Sequence, residues 1–186
     1  ASHRTSEHQT CSDLGFVAAQ KLLEKKGIKA EEIGAVIFAS HSPDYRRPST
    51  AFILQYRLGI PREAVCYDIS LGCSSLVKGI QAVASMIQCS EDINKALLFV
   101  GDTAGKSVNK HDRSSAMLFG EAGAVMLLER DNSVQAPVQA LLRSDGSGFK
   151  YMIVPGGGFR YLHAPENPVM CQDGNPRSLH NSFIQG

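Results

Sequence analysis

Along this chain the apolar residues alternate between short continuous runs and stretches of helical period, and that alternation sets out most of the elements. Residues 12–26, SDLGFVAAQKLLEKK, place Leu14, Val17, Ala18 and Leu22 at helical spacing, with Ser12 or Asp13 suited to cap the start and Gly27 to stop the end. The run AVIFAS at 35–40 lacks polar alternation, as expected of a strand covered on both faces. The polar loop HSPDYRRPS then leads into a helix at 49–58, STAFILQYRL, with Pro48 just ahead of it. AVCYDIS at 64–70 predicts a second buried strand. CSSLVKGIQAVASMIQC at 73–89 predicts a helix carrying Leu76, Val77, Ile80, Val83, Ala84 and Ile87 on one broad face. KALLFVG (95–101) predicts a third strand, and GAVMLLER (123–130) and PVQALLRS (137–144) two more, with the loop containing NKHDRSS among them.

Strands alternating with helices imply crossovers and a largely parallel α/β sheet. The last strands follow one another with only a turn between them, so part of the sheet is expected to be antiparallel. Residues 146–186 are rich in Gly, Pro and Asn and have little periodicity, which separates a structured region at 1–145 from an irregular, loop-rich segment at 146–186.

Composition narrows the function. A net charge of +1 over 186 residues gives no reason to expect nucleic acid or an anionic membrane as partner. No apolar run approaches the roughly 20 residues needed to span a bilayer. The five cysteines (Cys11, Cys66, Cys73, Cys89 and Cys171) are odd in number, scattered and without CxxC spacing. That argues against a disulfide framework and a structural zinc site, and for a reduced, cytoplasmic setting without a metal.

One stretch imitates a nucleotide site. FVGDTAGKS ends an apolar run and reaches Gly105-Lys106-Ser107. A phosphate-binding loop needs G-x-x-x-x-G-K-[ST], so that successive backbone N–H groups wrap the phosphates and the lysine reaches them. Between Gly101 and Gly105 one residue is missing, and the following VNKHDRSS has no apolar periodicity for a helix. A strand end followed by a turn is the better fit.

The stronger chemical candidate lies upstream, in CYDISLGCSSLVKGI (66–80). A strand ends near Ser70, Leu71-Gly72 make a tight passage, and Cys73 opens a helix, where N–H groups and the positive end of the helix dipole favour an anionic sulfur. Gly72 is expected to let the backbone turn and a substrate approach, and Ser74 and Ser75 keep the entrance open. This suits a nucleophile that carries a covalent acyl group. Cys66 and Cys89 are expected to be core residues. A hydrolase nucleophile elbow would want G-x-C-x-G, which Leu71-Gly72-Cys73-Ser74-Ser75 does not supply.

DISLGCSSLVKGIQAV resembles the nucleophile segment of the ketoacyl-ACP synthase III family, within the thiolase-like condensing enzymes. TCSDLGFVAAQKLLEKKGIKAEEIGAVIFAS is similar to the family's first long helix and following strand, SPDYRRPSTAFILQYRLGI to its loop and helix before the nucleophile, DRSSAMLFGEAGAVMLLER to its DR…FGDGAGA stretch, and SDGSG to a later turn. The matches run in order over about residues 6–148. The resemblance implies a partial thiolase-like α/β fold, one βαβαβαββ half with a mixed, mainly parallel sheet, whose first strand would precede Ala1. It implies Cys73 as the acyl-accepting nucleophile, taking a primer from acyl-CoA and transferring it to malonyl-acyl carrier protein by decarboxylative condensation, with its own N–H in the oxyanion hole. Arg113 matches an arginine that helps hold the CoA nucleotide. Arg47, before Pro48, falls on a loop that closes the partner's acyl pocket in a homodimer. Phe119-Gly120 and Gly123 match the glycine-rich stretch beside the site. No cofactor is implied beyond CoA thioester as substrate.

Two departures stand out. Arg47 replaces what is more usually an apolar residue, and a charge at the bottom of an acyl pocket is costly unless paired; this points slightly toward an acyltransferase of a specialised pathway. The family's catalytic His and Asn belong to motifs like H-Q-A and G-N-[TS], neither of which occurs here: His163 and His180 lie in RYLHAPE and RSLHNSF. The chain is therefore expected to be a portion of a longer enzyme that acylates without condensing. A non-catalytic partner subunit of a condensing heterodimer is the other alternative, although such partners usually lose the nucleophile.

Overall fold

The computed structural model describes residues 4–133 and 139–184. They form two compact units, one from residues 5–103, 122–133 and 139–142, the other from Arg4, 104–121 and 143–184.

The first unit is a three-layer α/β/α arrangement. Its helices are α1 (Cys11–Lys26), α2 (Thr50–Leu58) and α3 (Ser75–Cys89), and its strands β1 (Ala35–Ala39), β2 (Val65–Ile69), β3 (Lys95–Asp102) and β4 (Ala122–Glu129). Strand order is β2-β1-β3-β4. β1 pairs in parallel with β2 and β3, and β4 closes the sheet antiparallel to β3. Every residue of β1 is buried. Its alternation explains the layers: Val36 and Phe38 join Cys11, Ala19, Leu54 and Phe99 beneath α1 and α2, while Ala35, Ile37 and Ala39 join Val83, Ile87 and Leu98 beneath α3.

Several expectations need correcting. β2 is an edge strand and not a buried one; Val65 is 41% exposed, because β1 covers only one of its sides. The buried face of α1 is Cys11, Ser12, Gly15, Ala19 and Leu23, whereas Val17 is 48% exposed. Small residues won that face because they let the helix sit close to the sheet: a methyl on Gly15 would stand 2.9 Å from Phe99 Cδ1. The N-cap of α1 is Thr10, whose N–H donates to Asp13 Oδ2 at 3.0 Å, while Ser12 turns inward and donates to Asp44 Oδ2 at 2.7 Å. On α3 the buried positions are Ser75, Gly79, Val83 and Ile87, and the expected core residues Leu76 and Val77 are 42% and 57% exposed. Of the strand expected at 137–144, the residues 137–138 lie outside the described ones, and 139–144 form no strand.

The second unit is built differently. It has only two-residue strand pairs, β5 (Met152–Ile153) with β8 (Phe183–Ile184) and β6 (Val169–Met170) with β7 (Pro176–Arg177). Its centre is polar: Arg177 Nε donates to Asp112 Oδ2 at 2.6 Å, with the two side chains 4% and 1% exposed. Arg177 Nη2 also reaches Asp173 Oδ2 at 2.7 Å and Ser114 Oγ at 2.9 Å. Burial raises the Asp112 pKa, but donation from Arg177 and Ser114 outweighs it and brings the group down to about 2. Among the described residues no helix is long and apolar enough to cross a membrane.

Candidate active site

The C-terminal ends of β1, β2 and β3 converge with the entry to α3, the edge at which open parallel sheets place ligands. Ser40 N–H donates to Ile69 O at 3.0 Å, and Leu71 N–H to the same carbonyl at 2.9 Å. Ser75 N–H donates to Gly72 O at 2.8 Å, closing a turn over Gly72–Ser75. Cys73 stands in that turn, two residues before the first residue of α3 rather than on the helix itself. Its side chain is exposed and makes no hydrogen bond with another described residue. Ser74 occupies the N-cap without a side-chain hydrogen bond to the helix.

The other cysteines contrast with it. Cys11 is buried, its thiol 3.7 Å from Ser40 Oγ, and burial pushes its pKa up. Burial likewise raises Cys66, which is half-buried beside the carbonyl of Ala64. Cys89 is exposed at the end of α3, so its expected place in the core is not the one it takes. The helix ends there.

Two aspartates that the sequence does not single out organise this edge. Asp102, the last residue of β3, accepts through Oδ1 from Ser40 Oγ at 2.9 Å, His41 N–H at 2.8 Å and Ser42 Oγ at 3.0 Å. Asp68, in β2, accepts from Thr50 N–H at 2.7 Å and Ala51 N–H at 2.9 Å and so caps α2 from the neighbouring strand. Burial raises the Asp68 pKa, and the nearby Asp44 charge adds to the effect. The only sequence signal for either was an acidic residue in or ending an otherwise apolar strand.

Of the other expected site residues, Arg47 is exposed on the loop between β1 and α2 and forms no hydrogen bond or ion pair with a described residue. The burial cost expected for its charge is therefore not met within this chain. Arg113, Phe119 and Gly120 belong to the second unit. Arg113 N–H donates to Asn175 Oδ1 at 2.9 Å, and its guanidinium is exposed without a described partner. Phe119 is half-buried, and a methyl on Gly120 would meet nothing within 4 Å. Gly123 is tight: a methyl there would run into the Cys11 carbonyl and stand 2.9 Å from Gly15 N, so it serves the packing of α1 on β4. Ala104–Ser107, the would-be phosphate loop, is a single 3-10 turn, and 108–121 forms turns and not a helix, so no helix N-terminus is there to hold a phosphate.

A mixed sheet in the order β2-β1-β3-β4, layered between helices and with a cysteine at the strand-to-helix turn, defines a thiolase-like α/β fold. Residues 67–146 match the profile of 3-oxoacyl-(acyl-carrier-protein) synthase III. The beta-ketoacyl-(acyl-carrier-protein) synthase III of Caldanaerobacter subterraneus subsp. tengcongensis is 32% identical over 178 residues, 96% of this chain and 51% of that protein. That of Latilactobacillus sakei subsp. sakei is 40% identical over 132 residues, 71% of this chain and 40% of that protein. A crystal structure of a 3-oxoacyl-(acyl-carrier-protein) synthase III superposes with a TM-score of 0.89 at 28% identity, covering 98% of this chain and 55% of the other. The chain belongs to the ketoacyl-ACP synthase III family and spans about half the length of the curated relatives it matches.

Proposed function

We propose that this chain carries the acyl-accepting part of a condensing enzyme. Cys73 attacks the carbonyl of an acyl-CoA, the CoA thiol leaves, and the acyl group rests on sulfur as a thioester. The N–H of Cys73 and those of the first turn of α3 offer donors for the oxyanion that forms on the way. Malonyl-acyl carrier protein would then lose carbon dioxide, attack the thioester and leave as 3-oxoacyl-acyl carrier protein. The working enzyme would be a cytoplasmic homodimer, with Arg113 toward the CoA nucleotide and Arg47 at the acyl pocket.

The observation that carries this reading is the exposed, unpaired Cys73 thiol on the turn into α3, in a chain of this family. No H-Q-A or G-N-[TS] motif occurs in these 186 residues, so acylation without condensation is expected of them. Incubation with a panel of acyl-CoAs, followed by peptide mass spectrometry, tests the reading. An acyl adduct on the Cys73 peptide that disappears in Cys73→Ser supports it. No adduct from any donor on the full-length enzyme overturns it in favour of a non-catalytic partner subunit.

A further inference from the structure

The loop after β1 comes close to the nucleophile turn at Gly72. A methyl on Gly72 would stand 2.8 Å from His41 Nδ1, 3.2 Å from Cε1 and 3.6 Å from Cγ. The imidazole therefore lies where any side chain at position 72 would project. Gly72 is not among the glycines with positive φ, so backbone conformation alone does not require glycine there. The exposed His41 ring occupies that space, so a side chain at position 72 would have to push it aside.

The contact is anchored on both sides. His41 N–H, Ser40 Oγ and Ser42 Oγ all donate to Asp102 Oδ1, and Thr103 N–H donates to Ser42 Oγ at 2.8 Å. Bonds to a carboxylate are the stronger kind, and three on one oxygen fix the loop to the end of β3. On the other side, Leu71 and Ser40 share the Ile69 carbonyl at the end of β2. The ring itself makes no hydrogen bond with a described residue, so its contribution here is shape.

We propose that His41, held in place by Asp102, is a positioning residue for Cys73: its ring is the wall that sets the Gly72–Cys73 turn. A nucleophile on a turn needs such support, because a misplacement of about 1 Å can cost about a hundredfold in rate. The proposal rests on the reading of Cys73 as the nucleophile, but its test does not require an acyl-CoA.

The test compares wild type with His41→Ala, His41→Phe, Asp102→Ala and Gly72→Ala by timed iodoacetamide labelling and peptide mass spectrometry. Exposed Cys89 supplies an internal reference rate, and buried Cys11 reports opening of the fold. Freeing the turn changes how the Cys73 thiol is presented, so the Cys73-to-Cys89 rate ratio is expected to shift away from wild type in His41→Ala and Asp102→Ala. In His41→Phe, which restores a flat ring, it should stay within about twofold of wild type. Gly72→Ala should also shift the ratio, and adding His41→Ala to it should not add a second full shift, because the two residues share one contact. An unchanged ratio in His41→Ala with Cys11 still protected overturns the proposal. So does a His41→Phe that behaves like His41→Ala, since the nitrogens and not the shape would then matter. If Asp102→Ala exposes Cys11, the His41 pair decides. The expected changes in ratio together with no acyl adduct would sink the acyl-transfer reading and leave the positioning role standing.

Discussion

The two units are held by opposite means. In the first, apolar side chains on both faces of β1 and β3 are sealed by three helices, and the buried polar groups stand just past the strand ends and in the first turns of the helices. In the second, the strands are two residues long and the buried side chains among the described residues are polar, Ser115, Asp112 and Arg177 foremost. An apolar core loses stability in proportion to the volume removed, whereas a buried ion pair fails when one partner is left alone. The proposed nucleophile sits on the unit with the apolar core, which suits a residue that needs a rigid base.

The comparison breaks hardest at Phe99, 1% exposed and in contact range of Gly15. Phe99→Ala should cost about 3–5 kcal/mol. Amide hydrogen exchange should show the loss first in β1 and β3, with denaturant unfolding giving its size. Arg177→Ala comes next. It leaves Asp112 buried and uncompensated, at a cost of about 3 kcal/mol, and exchange should rise first in 109–118 and 173–184. A cost under about 0.5 kcal/mol would show that the pair is ornamental to the second unit.

Acid sharpens the same contrast. The Asp112 pKa falls from 3.8 to about 2 on folding, a difference that is worth about 2 kcal/mol. A depressed carboxylate stabilises above its unfolded pKa and loses that contribution as pH drops through its folded value. The second unit should therefore weaken between about pH 4 and pH 2, and Asp112→Asn should remove most of that dependence.

How much of this was legible in the sequence follows from how far apart the interacting residues lie. β1 and β3 are continuous apolar runs, legible as strands from that pattern, and the cover on both faces expected for β1 is what it has. β2 was recognisable as a strand, but its place at the edge is a property of sheet order, which no local pattern carries. The buried face of α1 was missed because Gly15 and Ala19 carry little hydrophobic signal while marking the closest approach of helix and sheet. Cys73 could be singled out from its strand–turn–helix setting. His41, Asp102 and the Asp112–Arg177 pair could not, because each acts on residues distant in the chain. Only their local turns show: Asp112 with Ser114, like Asp145 with Ser147, has the two-residue spacing by which an aspartate accepts from a following N–H.

The smallest effect belongs to Asp68, and it tests the contrast by sign. Asp68 is a carboxylate with helix N–H donors but no cation partner among the described residues, and burial raises its pKa where Asp112's is lowered. A raised carboxylate holds its proton better in the folded chain, so its contribution to stability grows as pH falls from neutral toward the unfolded value of 3.8. Asp68→Asn keeps one acceptor oxygen for Thr50 and Ala51 and discards the charge. At neutral pH the lost cap and the relieved burial of charge oppose each other, leaving a net cost of about 1 kcal/mol or less. The mutant should lack the wild type's gain on mild acidification, so the gap between them should widen as pH falls from 7 to about 4. Below that, the wild type's loss is set by Asp112 and appears in both proteins. The two carboxylates thus act in adjacent pH windows with opposite sign. Unfolding curves of wild type, Asp68→Asn and Asp112→Asn taken at half-unit steps would separate them, and a gap that narrows between pH 7 and 4 would contradict the burial of an unpaired charge at Asp68.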